Sequence, residues 1–99
     1  MPHKIFDEKI TIEWRIHALQ QISIRNISRK DTLEILFSGE VIESYPDDPP
    51  YPSFLLSGFL NFHPLHVVIA YAVKLNVVYI VAAYEPDSAK WEDNFRRRK

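Results

Sequence analysis

Four of the chain's seven prolines fall in Tyr45-Pro-Asp-Asp-Pro-Pro-Tyr-Pro-Ser53, between two apolar runs. Proline fixes φ, lacks an N–H and pushes the preceding residue toward extended geometry, so Tyr45, Asp48, Pro49 and Tyr51 are all held open. The stretch can be neither helix nor central strand. It is a stiff, aromatic-flanked connection with two open readings. Either it displays two carboxylates and two tyrosines as a binding surface, or it is a spacer that stops two strands closing a tight hairpin.

Upstream of this block the pattern is helical. Trp14, Ala18 and Ile22 recur at helical spacing and predict a helix over 12–25, closed by Asn26 in the left-handed conformation. Ser28 followed by Asp31 is a capping pattern for a second helix, with Leu33, Leu36 and Phe37 as its apolar stripe and Gly39 as its end. After Gly39 the pattern changes to strands at Glu40 to Tyr45, Ser53 to Phe62, Leu65 to Tyr71 and Val77 to Tyr84. The joins at 61–64 and 73–76 are short enough for hairpins. Pro86 breaks the last strand, and Asp87 or Ser88 caps a short C-terminal helix anchored by Trp91 and Phe95. The expected fold is α+β: two N-terminal helices, a four-stranded antiparallel meander without helix inside 53–84, and a short C-terminal helix. Strict alternation puts Leu65, Val67, Ile69 and Tyr71 on one face and His66, Val68 and Ala70 on the other. It likewise sets Val77, Tyr79, Val81 and Ala83 against Val78, Ile80, Ala82 and Tyr84. Both faces are largely apolar, so the one away from the helices needs a cover, from the terminal helix or a partner.

A chain of 99 residues makes one domain, here with an N-terminal segment at 1–10 and a basic tail at 96–99. Cysteine is absent, which removes disulfides and thiolate metal sites. The N-terminus becomes charged too early for a signal peptide, and no apolar run approaches the roughly 20 residues of a membrane helix. A soluble cytoplasmic protein with no membrane association is expected. Twelve Lys and Arg oppose thirteen Asp and Glu, but four of the twelve are Arg96-Arg-Arg-Lys99, leaving residues 1–95 at −5. Any RNA-binding surface on such a body must be local.

Several residues carry candidate chemistry. His17, Gln21 and Arg25 lie four apart along one ridge of the first helix, a spacing that suits phosphodiester chemistry, with imidazole moving a proton and guanidinium holding a phosphate oxygen. The same ridge also reads as a satisfied histidine beside a surface charge. His63 and His66 have a spacing that resembles a metal site, but Pro64 puts His63 in a turn while His66 lies on a strand, so no metal is assigned. A buried, hydrogen-bonded His66 fits equally well. Tyr71, Tyr79 and Tyr84 lie on strands, where they either pack or stack on bases. Phosphate-binding glycine loops, zincin helices and nucleophile elbows are absent from the sequence.

The order of motifs resembles a family. His17-Ala-Leu-Gln-Gln-Ile22 with Arg25-Asn-Ile-Ser28, Gly39-Glu-Val-Ile-Glu43, Tyr45-Pro-Asp-Asp48, Pro64-Leu-His-Val-Val68 and Tyr84-Glu-Pro-Asp87 with Trp91 and Phe95-Arg-Arg-Arg98 resemble a small prokaryotic domain-of-unknown-function family, numbered four-two-five-eight. That family is similar to RelE-like toxins and the wider barnase, EndoU, colicin and RelE group of metal-independent ribonucleases. Its members are often encoded beside a YgiT-type zinc-finger protein, the arrangement of a toxin and its antitoxin. The resemblance implies a toxin-like ribonuclease that needs no cofactor and cleaves RNA through attack of a ribose 2′-OH. His17, Arg25, His66 and Tyr84 would be catalytic, and Gln21, Tyr71, Glu85 and Arg96 would contact substrate. Gln21 departs from the family, whose members often have arginine there. The implied partners are RNA and a cognate zinc-finger antitoxin; a second copy of the chain is a further candidate partner, on the other reading. The alternative is a non-catalytic interaction or self-associating module.

Overall fold

The computed structural model describes residues 5, 6 and 9–99. Its elements are strand β1 (Thr11–Trp14), helices α1 (Ile16–Ile24) and α2 (Arg29–Ser38), and strands β2 (Glu40–Tyr45), β3 (Ser53–Leu60), β4 (His63–Ala72) and β5 (Val77–Tyr84). One turn of 3-10 helix, Val73–Leu75, joins β4 to β5. The strands form one sheet in the order β1-β5-β4-β3-β2. The domain is α+β, with a five-stranded mixed sheet.

Three expectations are corrected. The first is strand number, because residues 11–14 are a parallel edge strand on β5 and not the start of the first helix. Ile12 and Trp14 face the core with period two, and Trp14 also happens to fall four residues before Ala18, which lends it to a helical pattern. The second is the terminal helix. Between Asp87 and Arg98 the chain makes a hook instead, closed by a bridge between Trp91 and Arg98. Short-range side-chain bonds compete with helix here: Asp87 Oδ1 accepts from the Ala89 N–H and Asn94 Oδ1 from the Arg96 N–H, both at 2.9 Å. The third is the 3-10 turn within 53–84.

The helices sit where their caps put them. Asn26 takes φ 57°, and the Ile27 N–H reaches back 2.9 Å to the Ile22 carbonyl, a Schellman closure of α1. Ser28 Oγ accepts from the Asp31 N–H at 2.9 Å and starts α2 almost at once. Both helices lie on one sheet face. Ala18, Ile22, Ile35 and Leu36 pack there on Leu56, Val67, Ile69, Val78, Ile80 and Ala83. Gly39 and Gly58, the only glycines, let α2 press against the sheet: a Cβ would meet the Ile35 carbonyl oxygen at 2.5 Å and Ile35 Cδ1 at 2.6 Å, respectively.

Strict alternation also fails once. A bulge shifts the β4–β5 register, so that Val68 pairs with Ala82 and Ile69 with Ile80. Val78, Ile80 and Ala83 therefore share the helix face, while Tyr79 and Tyr84 share the other. The proline-rich connection spans 46–52, with Tyr45 and Ser53 paired across its base and the Pro49–Pro50 bond cis. Tyr51 stacks on Tyr79 with ring centroids 5.7 Å apart, which ties the loop to the second sheet face. The β3–β4 turn has two residues, Asn61 and Phe62, at φ 50° and 68°. Such a type I′ turn matches strand twist but costs a non-glycine L-residue about 1–2 kcal/mol. Among the described residues no helix is long and apolar enough to cross a membrane.

Candidate functional site

The expected site residues separate into three places. His17 stands exposed in the first turn of α1, where its Nε2 accepts from the Gln21 amide at 2.9 Å. Gln21 itself is half-buried, and its Oε1 has no hydrogen-bond partner among the described residues. Arg25 caps the far end of the helix, about 12 Å along the axis from His17 at ~1.5 Å per residue. Arg25 Nη1 donates to the Ala83 carbonyl at 3.4 Å, whereas His17 is bonded to Gln21.

The second place is the sheet face away from the helices, beneath the C-terminal hook. His66 has no exposed surface. Its Nε2 lies 2.7 Å from the Phe95 carbonyl, which only accepts, so the proton sits on Nε2 and Nδ1 accepts from the Tyr84 hydroxyl at 3.4 Å. Trp91 meets the ring edge-on at 4.6 Å. Burial pushes the His66 pKa below the ordinary range and, likewise, raises that of Tyr84. The hook is fastened by Arg98, which donates to both Glu43 carboxylate oxygens at 2.7 and 3.0 Å and lies over the Trp91 ring. That bond holds the Glu43 carboxyl below its usual range. Arg96 is ion-paired with Glu40. Two tail arginines thus fasten the hook. Tyr71 is on the opposite, core side, buried against Phe6 with its hydroxyl donating to Asn76 Oδ1.

The third place is a cleft of about 340 Å³ between the α1–α2 turn and the β3–β4 hairpin. Arg25, Asp31, His63 and Glu85 line it over an apolar floor that includes Ile27 and Leu65. Each is positioned by a short connection. Arg25 is fixed by the closure of α1 and by an Nη1 contact of 3.4 Å to the Ala83 carbonyl, Asp31 by the Ser28 cap, His63 by the type I′ turn and Glu85 by the end of β5. The cleft brings together a guanidinium, an imidazole and two carboxylates, the groups needed to bind an anion and move protons beside it. Of the residues singled out from sequence, it unites Arg25 and Glu85 and leaves out His17, His66 and Tyr84. His63 is the residue that sequence reasoning set aside. Sequence spacing relates it to His66 and not to Arg25, because only the β3–β4 hairpin carries it to the cleft. Among the described residues no group of three or more His, Cys, Asp or Glu could hold a metal ion.

Residues 14–85 match the family described as Domain of unknown function (DUF4258). The chain belongs to that family. The matched span ends at Glu85 and takes in every residue lining the cleft, while the hook lies beyond it. No curated protein and no solved structure matches the chain.

Proposed function

We propose that this protein is an endoribonuclease that works without metal, and that its active site is the Arg25–His63–Glu85 cleft. One observation carries the proposal: an arginine, a histidine and a carboxylate from three separate elements line a single cleft. Glu85 accepts the proton of a ribose 2′-OH, whose oxygen attacks the adjacent phosphorus. Arg25 binds the non-bridging oxygens as their charge grows, and His63 gives a proton to the departing 5′-oxygen. The products are a 2′,3′-cyclic phosphate and a 5′-OH. Asp31 balances the site, since with His63 protonated two positive groups face two negative ones and a phosphate enters without net repulsion. The acid–base roles fall to His63 and Glu85, which line the cleft with Arg25, and not to His17, which does not line it, or His66, which has no exposed surface. A toxin role and a zinc-finger antitoxin partner fit the family resemblance and belong to the same proposal.

Purified protein should cleave single-stranded RNA in EDTA and leave cyclic phosphate ends. His63→Ala and Arg25→Ala should each lower kcat/KM about a hundredfold or more, typical for a lost acid or charge-stabilising group. Both side chains are exposed, so the thermal melts should hardly move. Full activity in both variants would remove the cleft assignment. A second reading, a protein-interaction module, rests on the outer ridge of α1, where Ile16 and Ile24 are 73% and 84% exposed beside Leu19. It gains if the wild type cuts no RNA and light scattering shows a dimer that Ile24→Asp dissolves.

A further inference from the structure

Phe62 is 97% exposed at the tip of the β3–β4 hairpin, and neither folding nor packing accounts for it. Asn61 and Phe62 both have positive φ, and the second position of such a turn ordinarily holds glycine. A phenylalanine there pays for an unfavourable backbone and buries no ring in return. Its chain neighbours on both sides, Asn61 and His63, line the cleft, so the hairpin tip that carries the ring borders the cleft. It is an aromatic residue between two polar ones in the chain, whereas the α1 surface groups three apolar side chains, Ile16, Leu19 and Ile24. A lone ring beside hydrogen-bonding groups suits a flat, sequence-tolerant partner such as a nucleobase better than a protein surface. The electrostatics point the same way. Arg25 is the one Lys or Arg lining the cleft among the described residues, residues 1–95 carry −5, and Arg96 and Arg98 are held by Glu40 and Glu43. Lys or Arg contacts to phosphate inside the cleft are thus limited to Arg25, and stacking supplies affinity that needs no further cation.

We propose that Phe62 is a base-stacking residue: it holds the base of a nucleotide next to the phosphate bound by Arg25, in single-stranded RNA. The inference rests on the ribonuclease reading of the cleft and adds its substrate contact. The test uses an oligonucleotide with one ribose, so that one linkage is cleavable, and two copies with an abasic residue on either side of that linkage. Phe62→Asn keeps a residue suited to the left-handed turn, so its melt should equal or exceed that of the wild type. On the complete substrate its KM should rise about five- to a hundredfold, with kcat changed less, and Phe62→Trp should restore it. On one abasic substrate, wild type and Phe62→Asn should become equal. Equal KM values on the complete substrate would overturn the inference, as would a defect that persists undiminished on both abasic substrates. If Arg25 and His63 are required for cleavage while Phe62→Asn behaves as wild type, only the stacking role falls. If the wild type neither binds nor cuts the oligonucleotide, the cleft assignment falls with it. Loss of association with a protein, at unchanged KM, would make Phe62 a protein contact instead.

Discussion

Protonating His66 would charge a ring that has no exposed surface, and burial is the main reason its pKa lies below the ordinary 6.5. Glu43 favours the charged ring and Arg98 opposes it, while the Phe95 carbonyl is already bonded to Nε2. A depressed folded-state pKa means that the stabilisation is fully present above pH 6.5 and is lost as the pH falls from there through the lower folded value. Glu43 adds a second loss in the same direction below its ordinary 4.5. Tm should therefore drop between about pH 7.5 and about pH 5, and His66→Gln should flatten that slope. An unchanged slope in the variant would assign the effect to other groups. Gly39 offers a second test at this scale. The nearest atom a Cβ would strike, the Ile35 carbonyl oxygen at 2.5 Å, is backbone, with Ile35 Cγ2 and the Ser57 carbonyl oxygen also close at 3.0 and 3.2 Å, so Gly39→Ala should cost about 1–3 kcal/mol in urea unfolding. At Gly58 the obstacle is the end of the Ile35 side chain, which can turn aside, and Gly58→Ala should cost less. Equal losses would contradict this. Asn26 and Ser28 could be placed from sequence because a cap needs only local chemistry. The join at 61–64 was legible as well, but not its left-handed turn at Asn61 and Phe62, because glycine is the residue that announces such a turn.

Among the elements, the C-terminal hook does the work first assigned to a terminal helix. It covers the sheet face that the helices leave open, which was the part legible from two apolar faces on each strand. Its conformation was not legible, because Trp91 and Phe95 at i, i+4 fit a helix while Asp87 and Asn94 tie up the backbone locally. Trp91 is 3% exposed against His66, so Trp91→Ala should cost about 3 kcal/mol and should weaken the acid dependence by wetting the histidine. Arg98→Ala removes a bidentate pair that remains partly exposed, and about 1 kcal/mol is expected. If Arg98→Ala proves the more damaging in denaturant melts, the hook is held by charge and not by packing. The edge strand β1 and the β5 bulge were hidden for a related reason. Four residues of strand carry too little periodicity to compete with a helical coincidence, and a bulge changes faces without changing composition.

Over the whole molecule, the family fold separates two sets of polar groups that lie close in sequence. His66 and Tyr84 belong to a buried anchor for the hook, whereas His63 and Glu85, only a few residues away, open onto the cleft beside Arg25. Alternation across β4 and the end of β5 makes this division, so one sheet buries polar anchors on one side and presents polar side chains to the cleft at its rim. Composition confines any RNA-binding surface to a local patch on an acidic body, and of the residues that line the cleft, Arg25 and Glu85 are the two singled out from sequence as candidate site residues. Their partner His63 needed the hairpin to bring it to them, a long-range contact that no spacing encodes. The measurement that bears most directly on the cleft as the active site is an NMR titration of labelled protein with a 2′-deoxy oligonucleotide, which lacks the attacking hydroxyl and so stays intact. The account predicts concerted shifts at Arg25, Asn61, His63 and Glu85, with His17 and the face around His66 undisturbed. Shifts confined to the outer ridge of α1, or none at saturating oligonucleotide, would contradict it.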